Sequence, residues 1–202
     1  QMIKVIIIGS GNVAQHLIFG FEKSQKEGSE VELIQAFSRK KDTLVHLLDY
    51  NRIATNYHDL LEADLYIITV SDDAIAEVDC KLPFKNRLVV HTSGSVPLTA
   101  LNEKNRKGVF YPLQTFTKNK EVDFSTIPIC LESENETDYQ LLDKVAKSIS
   151  NAIFVINSEQ RKALHVAAVF VNNFTNYLYQ IGSEICHENQ VSFDILKPLI
   201  AE

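Results

Sequence analysis

The stretch Gly9-Ser10-Gly11-Asn12-Val13-Ala14 lies between an apolar run at residues 3–8 and a segment with helical spacing, and this context decides the fold. A glycine-rich turn between a strand and a helix is typical of a dinucleotide-binding unit. Gly9 would allow the sharp turn, Gly11 would let backbone N–H groups approach a pyrophosphate, and Ala14 would let the helix pack closely on the strand. The alternative is a tight turn without a ligand. The predicted phosphate-binding residues are Gly9, Ser10, Gly11, Asn12 and Val13.

The residues after the second predicted strand, at positions 31–37, indicate which dinucleotide is bound. NAD enzymes place Asp or Glu there for the ribose 2′-hydroxyl, whereas this chain continues with Ser38, Arg39, Lys40 and Lys41. A carboxylate would repel a 2′-phosphate, which a hydroxyl and cationic groups attract. The pattern predicts NADP(H), with Ser38, Arg39 and Lys40 in the site and the Arg39 guanidinium on the adenine face. A solvated basic loop is the alternative.

The composition limits the classes of protein that fit the chain. Its 202 residues, 45% of them hydrophobic, suffice for one full domain and a smaller one, and its formal net charge of −6 argues against nucleic-acid binding. Three widely spaced cysteines, without a CxxC pair or a secretory signal, predict reduced thiols in a cytoplasmic protein without a metal site. No apolar stretch is as long as a membrane span. We therefore expect a small-molecule substrate, and neither nucleic acid nor a membrane as partner.

Strand and helix patterns alternate up to about residue 156, which predicts a doubly wound, mostly parallel sheet of the Rossmann type. Beyond the first two strands, further strands are predicted at residues 52–55, 64–70, 87–92, 108–111, 127–131 and 152–156. Helices are predicted at residues 43–50, 74–78 and 137–149, the second of them capped by Ser71, Asp72 and Asp73.

A different pattern begins at Ser158, a predicted N-cap, where apolar residues recur at helical spacing to about His187. A further helix is predicted from Ser192. We expect residues 1–157 to form the NADP-binding domain and residues 158–202 to begin a smaller all-α domain for dimerisation and substrate binding. A helix with apolar residues on most faces needs partners on several sides. Either a second subunit covers it, giving a homodimer through the helical domain, or the natural chain continues past Glu202.

Ligands of doubly wound sheets lie beyond the carboxyl ends of the strands. This rule selects further cofactor-binding candidates, namely Val70, Ser71, Asp72 and Thr92. Ser71 and Asp72 are first of all helix-capping residues, whose backbone would line the cofactor. The Ser93-Gly94-Ser95 segment would place hydroxyls and free N–H groups near a nicotinamide, with a plain turn as the equal alternative. Tyr111 follows a later strand, in a segment that mixes aromatic and polar side chains.

Polar residues fall on one face of the long predicted helix, and they are Lys162, His165, Asn172, Asn176 and Tyr179. Unpaired buried polar groups cost about 1–3 kcal/mol each, so this face needs a partner such as a ligand cleft. Hydride delivery to C=O or C=N needs a proton donor, and His or Lys suits that task near neutral pH. A satisfied contact between domains is the alternative for His165. The predicted catalytic residues are His165, Lys162, Ser93, Tyr111 and Asn172.

The sequence of this chain resembles that of the Rossmann-like proteins with a DUF2520 helical domain, a family of NADP oxidoreductases. The resemblance spans the chain and is most specific at residues 108–116 (GVFYPLQTF) and 158–170 (SEQRKALHVAAVF). It is supported at residues 9–14, 37–39, 70–75 and 91–95. The family is similar to pyrroline-5-carboxylate reductase, ketopantoate reductase and the 6-phosphogluconate and β-hydroxyacid dehydrogenases. That kinship implies reduction of a small carbonyl or imine by NADPH.

The chain departs from this pattern at two positions. Many members of the family have His where this chain has Tyr111, although a phenol also donates a hydrogen bond. The β-hydroxyacid dehydrogenases have Asn four residues after the helix Lys, where this chain has Val166, so their catalytic pair does not transfer. The alternative to an oxidoreductase is therefore an NADP(H)-binding sensor or regulator without turnover, since a fold alone does not establish activity. A Rossmann methyltransferase is disfavoured by the glycine turn together with Arg39.

Overall fold

A computed structural model describes residues 2–117 and 122–200 of the chain. The chain divides into two compact units, Gln1–Arg161 and Lys162–Glu202. All of the strands among the described residues lie in the first unit. They are β1 (Ile3–Ile8), β2 (Val31–Phe37), β3 (Ile53–Ala54), β4 (Leu65–Ile68), β5 (Leu88–His91), β6 (Arg106–Pro112), β7 (Ile129–Ser133) and β8 (Ile153–Val155).

The eight strands form one sheet in the order β3-β2-β1-β4-β5-β6-β7-β8. Only β6 and β7 pair antiparallel, and all other neighbours are parallel. The strand order reverses at β1, which has β2 on one side and β4 on the other. Ligands of such sheets bind at this reversal, beyond the carboxyl ends of the strands. The predicted doubly wound, mostly parallel sheet is therefore confirmed.

Helices cover both faces of the sheet, because alternate side chains of each central strand point to opposite faces. Val5 and Ile7 of β1 join a buried cluster with α1 (Asn12–Lys26) and α3 (Glu136–Lys147). Ile6 and Ile8 join a second buried cluster, which includes the first residue of α2 (Ile75–Lys81). Burial of each large apolar side chain contributes about 1.5–3 kcal/mol, so the four consecutive buried residues at positions 5–8 of β1 stabilise both layers.

The predicted helix at residues 43–50 is wrong. Short 3-10 helices, Lys41–Thr43 and Tyr50–Arg52, flank a series of turns there. Leu44 and Leu48 are both buried, and because they are four residues apart, the sequence has the apolar spacing of a helix. The hydroxyl of Thr43 is bonded to Ser38 and to the Lys40 carbonyl, and such side-chain bonds compete with a helix start.

The predicted cap before the next helix is also wrong in part. A 3-10 turn, Asp72–Ala74, leads into α2, and the Ser71 side chain makes no capping hydrogen bond. The Asp72 carboxylate instead accepts a hydrogen bond from Ser95 at 2.6 Å. This segment therefore connects the ends of β4 and β5.

The long helix begins with α4 (Ser158–Val169), but Ser158 is not its N-cap. The Asn157 side chain accepts from the N–H of Gln160, and the Gln160 side chain accepts from the N–H of Asn157, at 2.9 and 3.1 Å. This reciprocal pair is a capping box with Asn157 as N-cap.

The second unit continues the helix as a π-helical turn, Phe170–Phe174, followed by α5 (Thr175–Glu188). The helix thus extends as far as predicted, but with a change of winding in the middle. A 3-10 turn, Phe193–Leu196, and the short helix α6 (Lys197–Ile200) follow. Within residues 2–117 and 122–200, no helix is both long and apolar enough to cross a membrane.

Candidate functional site

Gly9 makes the turn at the carboxyl end of β1. Its φ angle is +139°, and a Cβ there would lie 2.8 Å from the Thr69 carbonyl oxygen and even closer to the Thr69 hydroxyl. The Gly9 N–H donates to the Phe37 carbonyl at 3.0 Å, and the Thr69 hydroxyl donates to the Ile8 carbonyl at 3.1 Å. The close approach of the chain after β4 therefore requires glycine at this position.

Gly11 is the N-cap of α1, and a Cβ added to it meets nothing within 4 Å. The protein itself thus gives no steric reason for glycine here, whereas a ligand approaching the backbone would. The first backbone N–H bonded within α1 is that of Gln15, which donates to the Gly11 carbonyl at 3.0 Å. No side chain caps this end of α1, and its first turn has no acidic residue. The turn therefore offers N–H groups and the positive end of the helix dipole to an anion.

Polar side chains beside the glycine turn make hydrogen bonds to the backbone of the protein. Asn12 donates to the Phe116 carbonyl at 3.2 Å, and His16 lies 3.0 Å from the Thr117 carbonyl. Gln15 donates to the Ser10 carbonyl at 3.0 Å. Ala14 is fully buried, as close packing of the helix on the strand requires. Asn12 and Ser10 can therefore contribute backbone N–H groups to a pyrophosphate.

Arg39 and Lys40 follow β2, and both are exposed. Neither side chain makes a hydrogen bond or an ion pair to any residue that the structure describes. Lys41 instead donates to the Tyr50 carbonyl at 3.1 Å and lies 3.9 Å from the centre of the Tyr50 ring. Of the three basic residues, Arg39 and Lys40 are thus available to a ligand.

Ser38 is only 2% exposed, and its hydroxyl is used within the loop. The hydroxyl donates to the Lys40 carbonyl at 2.8 Å, lies 2.7 Å from the Thr43 hydroxyl and accepts from the Lys40 N–H at 3.2 Å. The predicted direct contact of Ser38 with a 2′-phosphate conflicts with this arrangement. Ser38 instead shapes the loop that carries Arg39.

Sequence reasoning missed Tyr57, an aromatic residue next to the Arg39 loop. Its ring stacks on that of Phe37, with centroids 4.2 Å apart and planes at 12°. Burial raises the pKa of the Tyr57 phenol, while the positive charges of Lys81 and Arg39 act to lower it. Phe37 ends β2 and so places this aromatic pair at the carboxyl edge of the sheet.

At the ends of β4 and β5, several of the predicted residues make hydrogen bonds. Thr92 donates to the Ile68 carbonyl at 3.2 Å, and Ser95 donates to Asp72. The buried Ser93 hydroxyl accepts from the N–H groups of Ser95 and Val96, at 3.1 and 3.0 Å. This geometry is that of a plain turn, one of the two alternatives for Ser93, and its predicted catalytic role stays a prediction.

Arg161 is the largest fully buried side chain of the described residues, at 1% exposure. It donates to the carbonyls of Ser93, at 3.1 Å, and Val96, and it pairs with the carboxylate of Glu132. The Ser158 hydroxyl donates to Glu132 at 2.8 Å. Sequence reasoning missed this network, because one charged residue in a helical pattern gives no sign of burial.

His91, at the end of β5, is a second buried group that was missed. Its Nδ1 accepts from the N–H of Ser93 at 3.1 Å. Burial, and next the charge of Arg161, lower the pKa of His91 to about 4. His91 is therefore neutral near pH 7, with its proton on Nε2.

Tyr111 lies near the end of β6 and is half-buried. Burial raises the pKa of its phenol, and the neighbouring Cys130 and Asp72 act in the same direction against the charge of Arg161. The phenol therefore stays protonated at neutral pH and can donate a hydrogen bond or a proton.

The remaining catalytic candidates lie in the second unit. Lys162 is exposed, His165 is half-buried and Asn172 lies in the π-helical turn. Asn176 donates to Asn172 at 3.4 Å, so two residues of the predicted polar face are neighbours. Their roles stay predictions.

Comparison with known proteins gives the family. A model of DUF2520, described as a domain of unknown function, matches residues 127–202. A crystal structure from Bacteroides fragilis, named a "putative NADP oxidoreductase", is 34% identical, with a TM-score of 0.81. The match covers 99% of this chain and 78% of that one. The chain belongs to the Rossmann-like DUF2520 family. No curated protein matches this family member significantly.

The fold of this DUF2520 protein is shared more widely. A pyrroline-5-carboxylate reductase from Coxiella burnetii is 14% identical, with a TM-score of 0.70, over 98% of this chain and 76% of that one. An imine reductase from Streptomyces aurantiacus is 15% identical, with a TM-score of 0.71, over 98% and 71%. At these identities the likeness concerns the fold alone.

Proposed function

We propose that this DUF2520 protein binds NADP(H) and transfers a hydride to or from a small carbonyl or imine compound. The observation that carries the proposal is the difference between the two glycines of the turn. The fold requires Gly9, whereas Gly11 faces open space beside an uncapped helix. The B. fragilis relative, named for NADP and oxidoreduction, supports the class of cofactor and reaction.

The preference for NADP(H) over NAD(H) is assigned to Arg39, with Lys40 beside it. Both are exposed cations at the end of β2 and are free of ion pairs with the described residues. A charge-assisted hydrogen bond contributes about 1.5–3 kcal/mol. Solvent screening reduces this value for an exposed side chain, so a preference of roughly tenfold is the reasonable magnitude.

For the chemical step, the proton donor is sought among Tyr111, His165 and Lys162. Tyr111 has the strongest support, because its half-buried phenol lies near the carboxyl end of β6 and carries a proton at neutral pH. A phenol placed at a developing negative charge can act as general acid. Asn172 is proposed to bind substrate. Ser93 is proposed to hold the turn that follows β5.

The helical unit is proposed to pair with a second copy of the chain. No residue of α5 is buried, and Leu178 is 64% exposed. An isolated helix of this length is marginal in water and gains its stability from packing. A homodimer through this unit would supply that packing.

Isothermal calorimetry with NADPH and NADH tests the cofactor assignment. We expect NADPH to bind roughly tenfold more tightly, and Arg39→Glu to remove this preference by placing a carboxylate at the 2′-phosphate. Lys85→Glu is the matched control, because it makes the same charge change at an exposed residue before β5, at the opposite edge of the sheet. Equal binding of both cofactors by the wild type contradicts the assignment.

Turnover is tested separately, by following NADPH oxidation with a panel of keto acids and cyclic imines. An oxidoreductase oxidises NADPH with at least one member of the panel. Tight binding without oxidation across the panel would favour the sensor or regulator alternative.

A further inference from the structure

The loop at residues 93–98, which we name the β5 loop, follows β5 at the carboxyl edge of the sheet. The N–H of Ser93 is bonded to His91, those of Ser95 and Val96 are bonded to the Ser93 hydroxyl, and that of Leu98 is bonded to Ser158 at 3.0 Å. Proline at position 97 has no N–H. Gly94 is different, because its N–H makes no hydrogen bond with any of the described residues.

Gly94 is buried, which makes its unbonded N–H unusual. More than about 90% of buried backbone N–H groups in native proteins are paired. A buried donor without an acceptor destabilises the folded state. The N–H of Gly94 is therefore a candidate donor to an acceptor that lies outside the described residues.

Arg161 fixes the direction of this N–H. Its Nε donates to the Ser93 carbonyl at 3.1 Å, and its Nη2 donates to the Val96 carbonyl. The described chain has no cis peptide bond, and in a trans peptide the C=O and the following N–H point in opposite directions. Because Arg161 holds the Ser93 carbonyl, the Gly94 N–H points away from Arg161. Glu132 in turn holds the guanidinium in place.

The strand order indicates which part of the cofactor reaches the β5 loop. The proposed 2′-phosphate site follows β2 and the pyrophosphate site follows β1. A dinucleotide that crosses the reversal of strand order then continues past β4 toward β5 with its nicotinamide half. That half carries a carboxamide, whose oxygen is a hydrogen-bond acceptor.

We propose that the N–H of Gly94 donates a hydrogen bond to the carboxamide oxygen of the nicotinamide, with Arg161 as the positioning residue. This inference rests on the proposed binding of NADP(H). It adds a donor that fixes the rotation of the nicotinamide, and it gives a function to the buried side chain of Arg161.

The test is NMR of protein labelled with 15N at glycine, which gives only seven backbone amide signals. A Gly94→Ala variant identifies the Gly94 signal by its absence. The protein is titrated first with 2′,5′-ADP, which lacks nicotinamide, and separately with NADP+. We expect the signals of Gly9 and Gly11 to respond to both ligands. The Gly94 signal should respond to NADP+ alone, with a downfield shift and slower hydrogen exchange.

Two outcomes separate this inference from the function on which it rests. Responses at Gly9 and Gly11 with no response at Gly94 to NADP+ would overturn the inference and leave NADP(H) binding intact. If no glycine signal responds to either ligand, both are wrong.

Variants of Arg161 test its positioning role. Arg161→Lys keeps the charge, but lysine has no planar fork with which to reach both carbonyls. The downfield shift of the Gly94 signal on NADP+ binding should therefore be smaller in this variant. The affinity for 2′,5′-ADP should be retained. Arg106→Lys is the matched control, since Arg106 is an ion-paired arginine, bound to Asp138, that does not contact the β5 loop. A Gly94 response in Arg161→Lys equal to that of the wild type would refute the positioning role.

Discussion

Substitution of the two turn glycines by alanine should have opposite consequences. In Gly9→Ala the new methyl would lie 2.8 Å from the Thr69 carbonyl oxygen, at a φ of +139° that L residues rarely adopt. Backbone strain of this kind costs about 1–3 kcal/mol, and overpacking a further 1–3 kcal/mol. Relief by rotation of Thr69 would break its hydrogen bond to the Ile8 carbonyl. We therefore expect a loss of about 2–6 kcal/mol in the free energy of unfolding.

Gly11→Ala is the matched comparison, because its methyl meets nothing within 4 Å and its φ of −75° suits alanine. The loss of glycine at an N-cap should cost less than about 1 kcal/mol of stability. The methyl would occupy the space through which a pyrophosphate approaches the backbone, so NADPH affinity should fall roughly tenfold or more.

Urea denaturation followed by circular dichroism measures the stability of both variants, and calorimetry measures NADPH binding by Gly11→Ala. If Gly9→Ala were as stable as the wild type, the steric argument would be refuted. If Gly11→Ala bound NADPH as well as the wild type, Gly11 would not lie at the pyrophosphate.

Three further predictions concern other parts of the molecule. Because the pKa of His91 is lowered to about 4 in the folded protein, the unfolded state takes up the proton first, and stability should fall by about 2 kcal/mol between pH 7 and pH 5. Urea denaturation of His91→Phe at both pH values should show a smaller pH dependence, and an unchanged one would contradict the burial argument. Arg161→Met should lose about 3–5 kcal/mol in the same assay, because Glu132 would keep a poorly solvated charge, and a loss below 1 kcal/mol would contradict the importance of the pair. Leu178→Lys should convert a dimer into a monomer in analytical ultracentrifugation, whereas Leu61→Lys, at another exposed apolar residue, should not. A wild-type protein that sediments as a monomer would exclude this dimer.

The central strands could be predicted from the sequence because they are buried on both faces. The apolar runs of β1 and β4 admit few other interpretations, and the glycine turn fixed the direction of the chain between β1 and α1. Strand ends were less accurate, since ladder hydrogen bonds rather than hydrophobicity decide where a strand stops.

Hydrophobic spacing reports burial but not the hydrogen bonds of a segment. The turns at residues 43–50 bury Leu44 and Leu48 four residues apart, as a helix would. The competing bonds of the Thr43 hydroxyl depend on where Ser38 and Lys40 lie in space.

The candidate site shows the same limit. The position of Arg39 after the end of β2 could be predicted, because it follows from local sequence. The pairing of Arg161 with Glu132, and its contact with the carbonyl of Ser93, join residues 29 and 68 positions apart. No local pattern encodes such a contact, so the burial of Arg161 and the lowered pKa of His91 emerged only from the structure.

A crystal structure of the complex with NADP+ tests the central claim most directly. The account predicts the pyrophosphate over the first turn of α1, beside Gly11, and the 2′-phosphate within hydrogen-bond distance of Arg39. A cofactor bound elsewhere, or a 2′-phosphate directed away from Arg39, would contradict it.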